Sequence, residues 1–236
     1  MTAAITLTHE VIAQAESYDG IKAGVVHLKD VLEGFSYQTM AEAQRSANKF
    51  ERGNIGNWPM MAQTVLVLGL NHPEDNPRLD YWERGNTEGN RRLREISWSL
   101  EHRLKERYGL SAIPLAYHLE KGGLFLKDAA VLSGLGVIGK NNLLLNPEWG
   151  PRIRLRAMLM EGDFHPTDAL TGFDPCETCD VFCQNACPVN AFPGGRFSHQ
   201  QCSVQMSDDK NTGKHSNPDG LVNYCRMCEF SCPIGA

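Results

Sequence analysis

Two stretches of the chain, "AGVVHL" (23–28) and "TVLVLGL" (64–70), are short apolar runs rich in β-branched residues, and both predict buried strands. The second is apolar on both faces, as in a sheet covered on each side. Between Asn86 and Gly109 the rhythm changes: Leu93, Ile96, Leu100 and Leu104 recur at steps of three and four, while charged residues fill the rest of "RRLREISWSLEHRLKERYG". That pattern predicts an amphipathic helix with Gly109 as its stop. "AIPLAYHL" (112–119) predicts a further strand, "LFLKDAAVLSG" (124–134) a helix, and "IRLRAMLM" (153–160) opens with the alternation of a half-buried strand. Up to about residue 160 the chain therefore reads as an α/β layer. From Asp174 onward Cys, Pro, Gly and polar residues dominate and the periodicity stops. Within this tail "QMSDDKNTGKHSNPDG" (205–220) predicts a long, solvated polar loop.

The length of 236 residues allows one main domain with a cysteine-rich tail. An apolar content of 42% and a charged content of 22% are those of an ordinary soluble protein. No stretch approaches the roughly 18 consecutive apolar residues of a membrane span. The start, "MTAAITLTHEVIAQAE", has no basic opening, continuous apolar segment, small-residue cleavage site or twin arginine, so the expected location is the cytoplasm. A net charge of -5 argues against a nonspecific nucleic-acid binder, which needs a surplus of Lys and Arg on its binding face, but leaves room for a local basic strip.

The cysteines change the picture most. All eight, Cys176, Cys179, Cys183, Cys187, Cys202, Cys225, Cys228 and Cys232, lie in the last quarter of the chain. A reducing compartment disfavours disulfides, and short regular spacings favour shared metal. "CETCDVFCQNACP" (176–188) has the spacing C-x2-C-x3-C-x3-C-P, and "CRMCEFSCP" (225–233) repeats C-x2-C-x3-C-P. In bacterial two-cluster ferredoxin runs, three cysteines bind one 4Fe-4S cluster while the one before Pro binds the other. Applied here, that crossover assigns Cys176, Cys179, Cys183 and Cys232 to one cluster, leaving Cys187, Cys202, Cys225 and Cys228 for the second. Two zinc sites, which also take four thiolates each, are the competing reading. Zinc does not call for the cysteine-proline exchange. His72 ends the strand 64–70, where ligand sites gather in open α/β sheets, but "NHP" also reads as a turn, and His72 is not taken as a metal ligand.

The segment "KDAAVLSGLGVIGKNNLLLNPEWGPRIRLRAMLME" (127–161) resembles the core signature of the epoxyqueuosine reductase family, in which G-L-G-x-x-G-K-N and N-P-x-x-G occur in that order. "TVLVLGLNHP" followed by "RLDYWERGN" resembles the same family upstream, and "RFSHQQCSVQM" sits where the family carries its isolated cluster cysteine. The resemblance covers about residues 20–236. It implies an α/β cobalamin-binding domain over residues 1–165, followed by a ferredoxin-like double 4Fe-4S domain over 166–236. Reductive dehalogenases share that architecture. The motif residues Gly134, Leu135, Gly136, Gly139, Lys140 and Asn141 are the implied corrinoid contacts. The family's active-site aspartate falls fourteen residues before the motif, which is Glu120 here, and the basic residue seven further on is Lys127.

The chain departs from the family in three ways: Glu replaces Asp at position 120, Arg84-Gly85 lacks the acidic-tyrosine-histidine triplet after it, and no helical-repeat region follows "CPIGA". The reading is a short form of the family: a cobalamin-dependent iron-sulfur reductase passing electrons from two 4Fe-4S clusters to a corrinoid and on to a small substrate, with Glu120 supplying a proton. The alternative is a corrinoid-binding electron-transfer protein that reduces or delivers cobalamin to a partner. Expected partners are an electron donor such as ferredoxin or flavodoxin and a small-molecule substrate or corrinoid-accepting protein; tRNA and membrane are not expected.

Overall fold

The apolar run at 64–70 lies inside a longer strand, Ala62–Asn71, in which Val65, Leu66, Val67, Leu68 and Leu70 are all fully buried. The computed structural model describes residues 2–46, 58–59, 61–83, 85–162, 164–216 and 221–235. In chain order its elements are α1 (Thr2–Glu16), β1 (Ile21–His27), α2 (Leu28–Leu32), α3 (Phe35–Ser46), β2 (Ala62–Asn71), β3 (Trp82–Glu83), β4 (Asn86–Thr87), α4 (Glu88–Tyr108), β5 (Ala112–Pro114), α5 (Leu126–Leu132), β6 (Val137–Ile138), β7 (Leu144–Leu145), β8 (Ile153–Glu161), α6 (Phe182–Asn185), α7 (His199–Ser216) and α8 (Met227–Phe230).

The four-stranded sheet runs in the order β1-β2-β8-β5. β1 pairs antiparallel with β2, Val25 opposite Leu66, and β5 pairs antiparallel with β8, Ile113 opposite Leu159. Because side chains alternate along a strand, Leu66, Leu68 and Leu70 share one face. They join Leu93, Ile96, Leu100 and Leu104 of α4 and Val11 and Ala15 of α1 in a single core. α5 packs near the sheet through Thr167, whose hydroxyl receives the Val25 amide at 3.0 Å and donates to the Ser133 carbonyl at 2.8 Å. The fold is mixed α/β, as the periodicity predicts.

Contacts divide the chain into two compact units that interleave along the sequence. One comprises Met1–Leu70, Leu93–Leu135 and Leu155–Leu170; the other comprises Asn71–Arg92, Gly136–Arg154 and Thr171–Ala236. A single boundary at residue 165 does not describe this division, because two segments from the first two thirds of the chain sit with the cysteines.

Two local expectations are corrected. The strand expected over 112–119 ends at Pro114. Leu115 donates one more ladder bond to Ala157, and then the bonds turn local, with the Lys121 and Gly123 amides both reaching the His118 carbonyl at 3.1 and 3.0 Å. The loop expected over 205–220 is helical as far as Ser216 in α7, and 217–220 lie outside the described residues. That helix has no apolar stripe to announce it. The Ser198 hydroxyl accepts the Gln201 amide at 3.3 Å, as an N-cap does, and Asp209 ties the helix to the Cys225 amide at 2.7 Å.

Candidate functional site

The cysteines are carried on two copies of one backbone turn. In α6, Cys183 is the second residue, and the amides of Ala186 and Cys187 donate to the carbonyls of Phe182 and Gln184 at 3.0 and 3.2 Å. In α8, Cys228 is the second residue, and the amides of Ser231 and Cys232 donate to Met227 and Glu229 at 3.0 and 3.2 Å. Each copy closes on Cys-Pro, and α6 packs on α8. Cys176 and Cys179 precede the first copy, Cys225 precedes the second, and Cys202 comes from α7.

Packing sorts the eight cysteines into two groups. Cys176, Cys179, Cys183 and Cys232 line one pocket. Burial pushes the Cys183 thiol up, with Cys232, Cys176 and Cys179 adding to the shift; burial also raises Cys232, again with Cys176 and Cys179 beside it. In the other group, burial raises Cys202, next to Cys187 and Cys225. Burial pushes Cys228 up to about 12, helped by Glu229, Cys225 and Cys202. Cys183 of the first group also adds to the Cys228 shift, so the two groups adjoin one another. All eight are free thiols rather than disulfides. Raised values mean neutral thiols at physiological pH, so a metal centre must displace protons as it binds.

Among the described residues no three His, Cys, Asp or Glu side chains are placed to hold a single ion. Four thiols in each group have the chemistry of a four-thiolate centre, which iron-sulfur clusters and zinc both use, and backbone amides point at two of the sulfurs. The Lys140 amide lies 3.4 Å from Cys176 Sγ, and the Ala191 amide 3.2 Å from Cys187 Sγ. Such hydrogen bonds tune cluster potentials.

The glycine motif is placed against protein rather than open space. A Cβ on Gly134, at φ +76°, would lie 2.2 Å from the Asp168 carbonyl oxygen, and one on Gly136 would lie 2.4 Å from that of Leu145. Gly139 faces the Leu145 side chain. Leu135 is buried and Lys140 is exposed. Asn141 is buried, donates to the Cys228 carbonyl at 3.3 Å and accepts the Leu143 amide at 3.1 Å. The Lys140 carbonyl accepts from Gln184 at 3.2 Å. From Gly136 onward, therefore, the motif braces the cysteine segments. The N-P-x-x-G motif does the same: Asn146 Oδ1 accepts the amides of Glu148 and Trp149, and Gly150 sits at φ +57° under the Ile234 carbonyl. Arg152 donates to that carbonyl at 2.9 Å.

Sequence reasoning missed a buried charge network in this unit. Asp80 accepts from Arg154 and Arg226 and lies 2.9 Å from His72 Nδ1; Arg226 also pairs with Glu229. Burial alone would raise the Asp80 carboxyl, but the His72 hydrogen bond and the His72 and Arg154 charges hold it below its ordinary value. The available signal was Arg226 lying inside the "CRMC" spacing, but its partners are remote in sequence. Asp209 was missed as well, being hidden in the stretch read as a loop.

In the sheet-bearing unit, Lys127 is half-buried; burial pushes its ammonium down, opposed by Asp128. Asp128 itself accepts the Ser36 amide and hydroxyl at 3.0 and 2.8 Å. Next to them Tyr37 meets Phe125 edge-on, and burial pushes its phenol up to about 12. Glu120 falls in the 3-10 turn Leu119–Lys121, and its side chain lies outside the described residues.

No family model matches the chain. An epoxyqueuosine reductase of Lactococcus garvieae is 22% identical over 235 residues, covering 93% of this chain and 63% of that protein. The crystal structure of an epoxyqueuosine reductase with a tRNA-Tyr epoxyqueuosine-modified stem loop superimposes with a TM-score of 0.68 at 19% identity, over 98% of this chain and 65% of the other. A reductive dehalogenase, whose structure suggests a mechanism for B12-dependent dehalogenation, superimposes with a TM-score of 0.66 at 15% identity, over 98% of this chain and 32% of the other. The chain thus spans under two thirds of the length of that curated relative. In sequence and fold this chain is similar to the epoxyqueuosine reductases, and in fold also to the reductive dehalogenases.

Proposed function

We propose that this chain is a cobalamin-dependent iron-sulfur reductase. The observation that supports the reading is that, of eight free cysteines, Cys176, Cys179, Cys183 and Cys232 line one pocket, which leaves Cys187, Cys202, Cys225 and Cys228 as a second set of four with Cys202 beside Cys187 and Cys225. Four thiolates per quartet match the demand of a 4Fe-4S cluster, and the amides of Lys140 and Ala191 supply hydrogen bonds to sulfur. Cobalamin enters through the likeness to a B12-dependent dehalogenase. When bound, the clusters supply single electrons and the corrinoid supplies a reducible cobalt.

The chain's own residues supply orientation and protons. Lys140 and Asn141, assigned to the corrinoid by resemblance, hold the cysteine segments through their backbone and amide groups, and the exposed Lys140 ammonium remains as a donor toward a corrin side chain. Glu120 is proposed as the proton donor on its position in sequence alone. Lys127, its ammonium pushed down by burial, is the second candidate for moving a proton.

The test is anaerobic reconstitution followed by titration with cobalamin. Co-elution of cobalamin with a changed visible spectrum supports the reading, and Glu120→Gln should keep binding while turnover falls roughly 100-fold or more. Reconstituted clusters with no cobalamin binding would reduce the chain to an electron carrier. Because a related structure holds a tRNA stem loop, the same titration includes such a stem loop as a candidate substrate alongside small halogenated and epoxide compounds.

A further inference from the structure

Arg226 stands between Cys225 and Cys228, and its side chain is only 9% exposed. It donates to Asp80 through Nη1, to both Glu229 oxygens through Nε and Nη2, and to the His72 carbonyl at 3.2 Å. Its guanidinium also lies over the Phe230 ring, 4.6 Å from the centroid. Asp80 is held in turn by Arg154. His72 Nδ1 lies 2.9 Å from both Asp80 Oδ1 and Arg226 Nη2, so a neutral ring can donate to the first or accept from the second but not both, while Nε2 is buried with no hydrogen bond. Two arginines, Arg226 and the partly exposed Arg154, and two buried carboxylates thus balance around one loop that carries two cysteines.

Stability does not explain such an arrangement. Desolvating ion pairs costs several kcal/mol per ion, and well-packed apolar residues of the same volume often serve a fold as well or better. Charges fixed at low dielectric do act on a neighbouring redox centre, which becomes more negative by one unit when reduced. We propose that the Asp80–Arg226–Glu229 network sets the reduction potential of the centre held by Cys187, Cys202, Cys225 and Cys228, with Arg226 favouring the reduced form and Asp80 and Glu229 limiting that effect. These are positioning residues acting through charge. The inference rests on the iron-sulfur reading above.

Redox titration of the anaerobically reconstituted full chain, followed by electron paramagnetic resonance, tests it. The two centres are told apart with Cys202→Ala, which retains the first quartet. Asp80→Asn removes a negative charge and should shift the potential of the second centre upward by about 59 mV, a tenfold change in a one-electron equilibrium. Arg226→Gln should shift it downward, with smaller changes at the centre held by Cys176, Cys179, Cys183 and Cys232. If Asp80→Asn loses its centre altogether, Glu229→Gln carries the same upward expectation and leaves the Asp80–Arg226 pair in place. A merely structural role would lower cluster yield without shifts of opposite sign. Unchanged potentials, or shifts of one sign in all variants, overturn the inference while leaving the iron-sulfur reading intact; failure of the wild-type chain to take up iron and sulfide overturns both.

Discussion

In the sheet-bearing unit, Leu66, Leu68 and Leu70 of β2 meet Leu93, Leu100 and Leu104 of α4, all fully buried. The cysteine-bearing unit buries fewer apolar side chains, Leu79, Leu144, Leu145, Phe192 and Val222 among them, beside the polar Asp80, Asn141, Asn146, Arg152 and Glu229, and its helices α6 and α8 are four residues long next to the longer α7. The first is held by non-directional burial, worth roughly 1.5–3 kcal/mol for each fully buried large apolar side chain. The second adds to its smaller apolar set directed bonds to specific carbonyls, such as Asn141 to Cys228 and Arg152 to Ile234. On the iron-sulfur reading proposed above, the first unit would keep its fold without a cofactor, whereas the second would couple its folding to metal.

The largest expected effect comes from removing the proposed metal centres. Chelation under reducing conditions should abolish hydrogen-exchange protection in α6, α8 and the 136–154 segment while β2 and α4 stay protected. Equal loss in both units would break the comparison. Next in size, Leu68→Ala should destabilise the sheet-bearing unit by about 2–5 kcal/mol in urea titration, with the visible absorption of the clusters persisting until that unit unfolds.

Gly150→Ala acts on the other side. Its left-handed backbone disfavours a side chain by roughly 1–2 kcal/mol, and the new Cβ would lie 1.7 Å from the Ile234 carbonyl oxygen, two residues beyond Cys232. The expected outcome is loss of the centre containing Cys232, read as a fall in iron content, with the circular dichroism of the sheet-bearing unit preserved. The smallest effect is a pH dependence at Tyr37. Its folded value of about 12 stands above the ordinary 10, so its contribution is full below pH 10 and is lost as pH rises from there through about 12. Stability measured by urea titration between pH 9 and 12 should fall less steeply in Tyr37→Phe than in the wild type.

How much was legible in the sequence differs between the same two units. β1, β2 and α4 announce themselves through apolar periods of two and of three to four, because burial in a layered core imposes those periods. The two Cys-Pro motifs were legible because cluster chemistry restricts spacing, and the structure repeats one turn at both. α7 was not, since a helix anchored by Ser198 and Asp209 needs no apolar stripe. Nor was the interleaving of the units, because Asn71–Arg92 and Gly136–Arg154 reach the cysteines through contacts far apart in sequence, such as Trp82 with Val222 at 2.8 Å and Asn141 with Cys228 at 3.3 Å. His72, Asp80 and Arg226 gather from positions up to 154 residues apart, which no local pattern can show.

The central claim is that the cysteines form two four-thiolate iron-sulfur centres with a crossover between them. Its most direct measurement is iron and acid-labile sulfide per chain in the reconstituted wild type and in Cys202→Ala, with electron paramagnetic resonance of both after reduction. The account predicts about eight of each in the wild type and about four in the variant, with the signal of the Cys176, Cys179, Cys183 and Cys232 centre retained. Equal iron and sulfide in the two proteins, or bound zinc without sulfide, would contradict it.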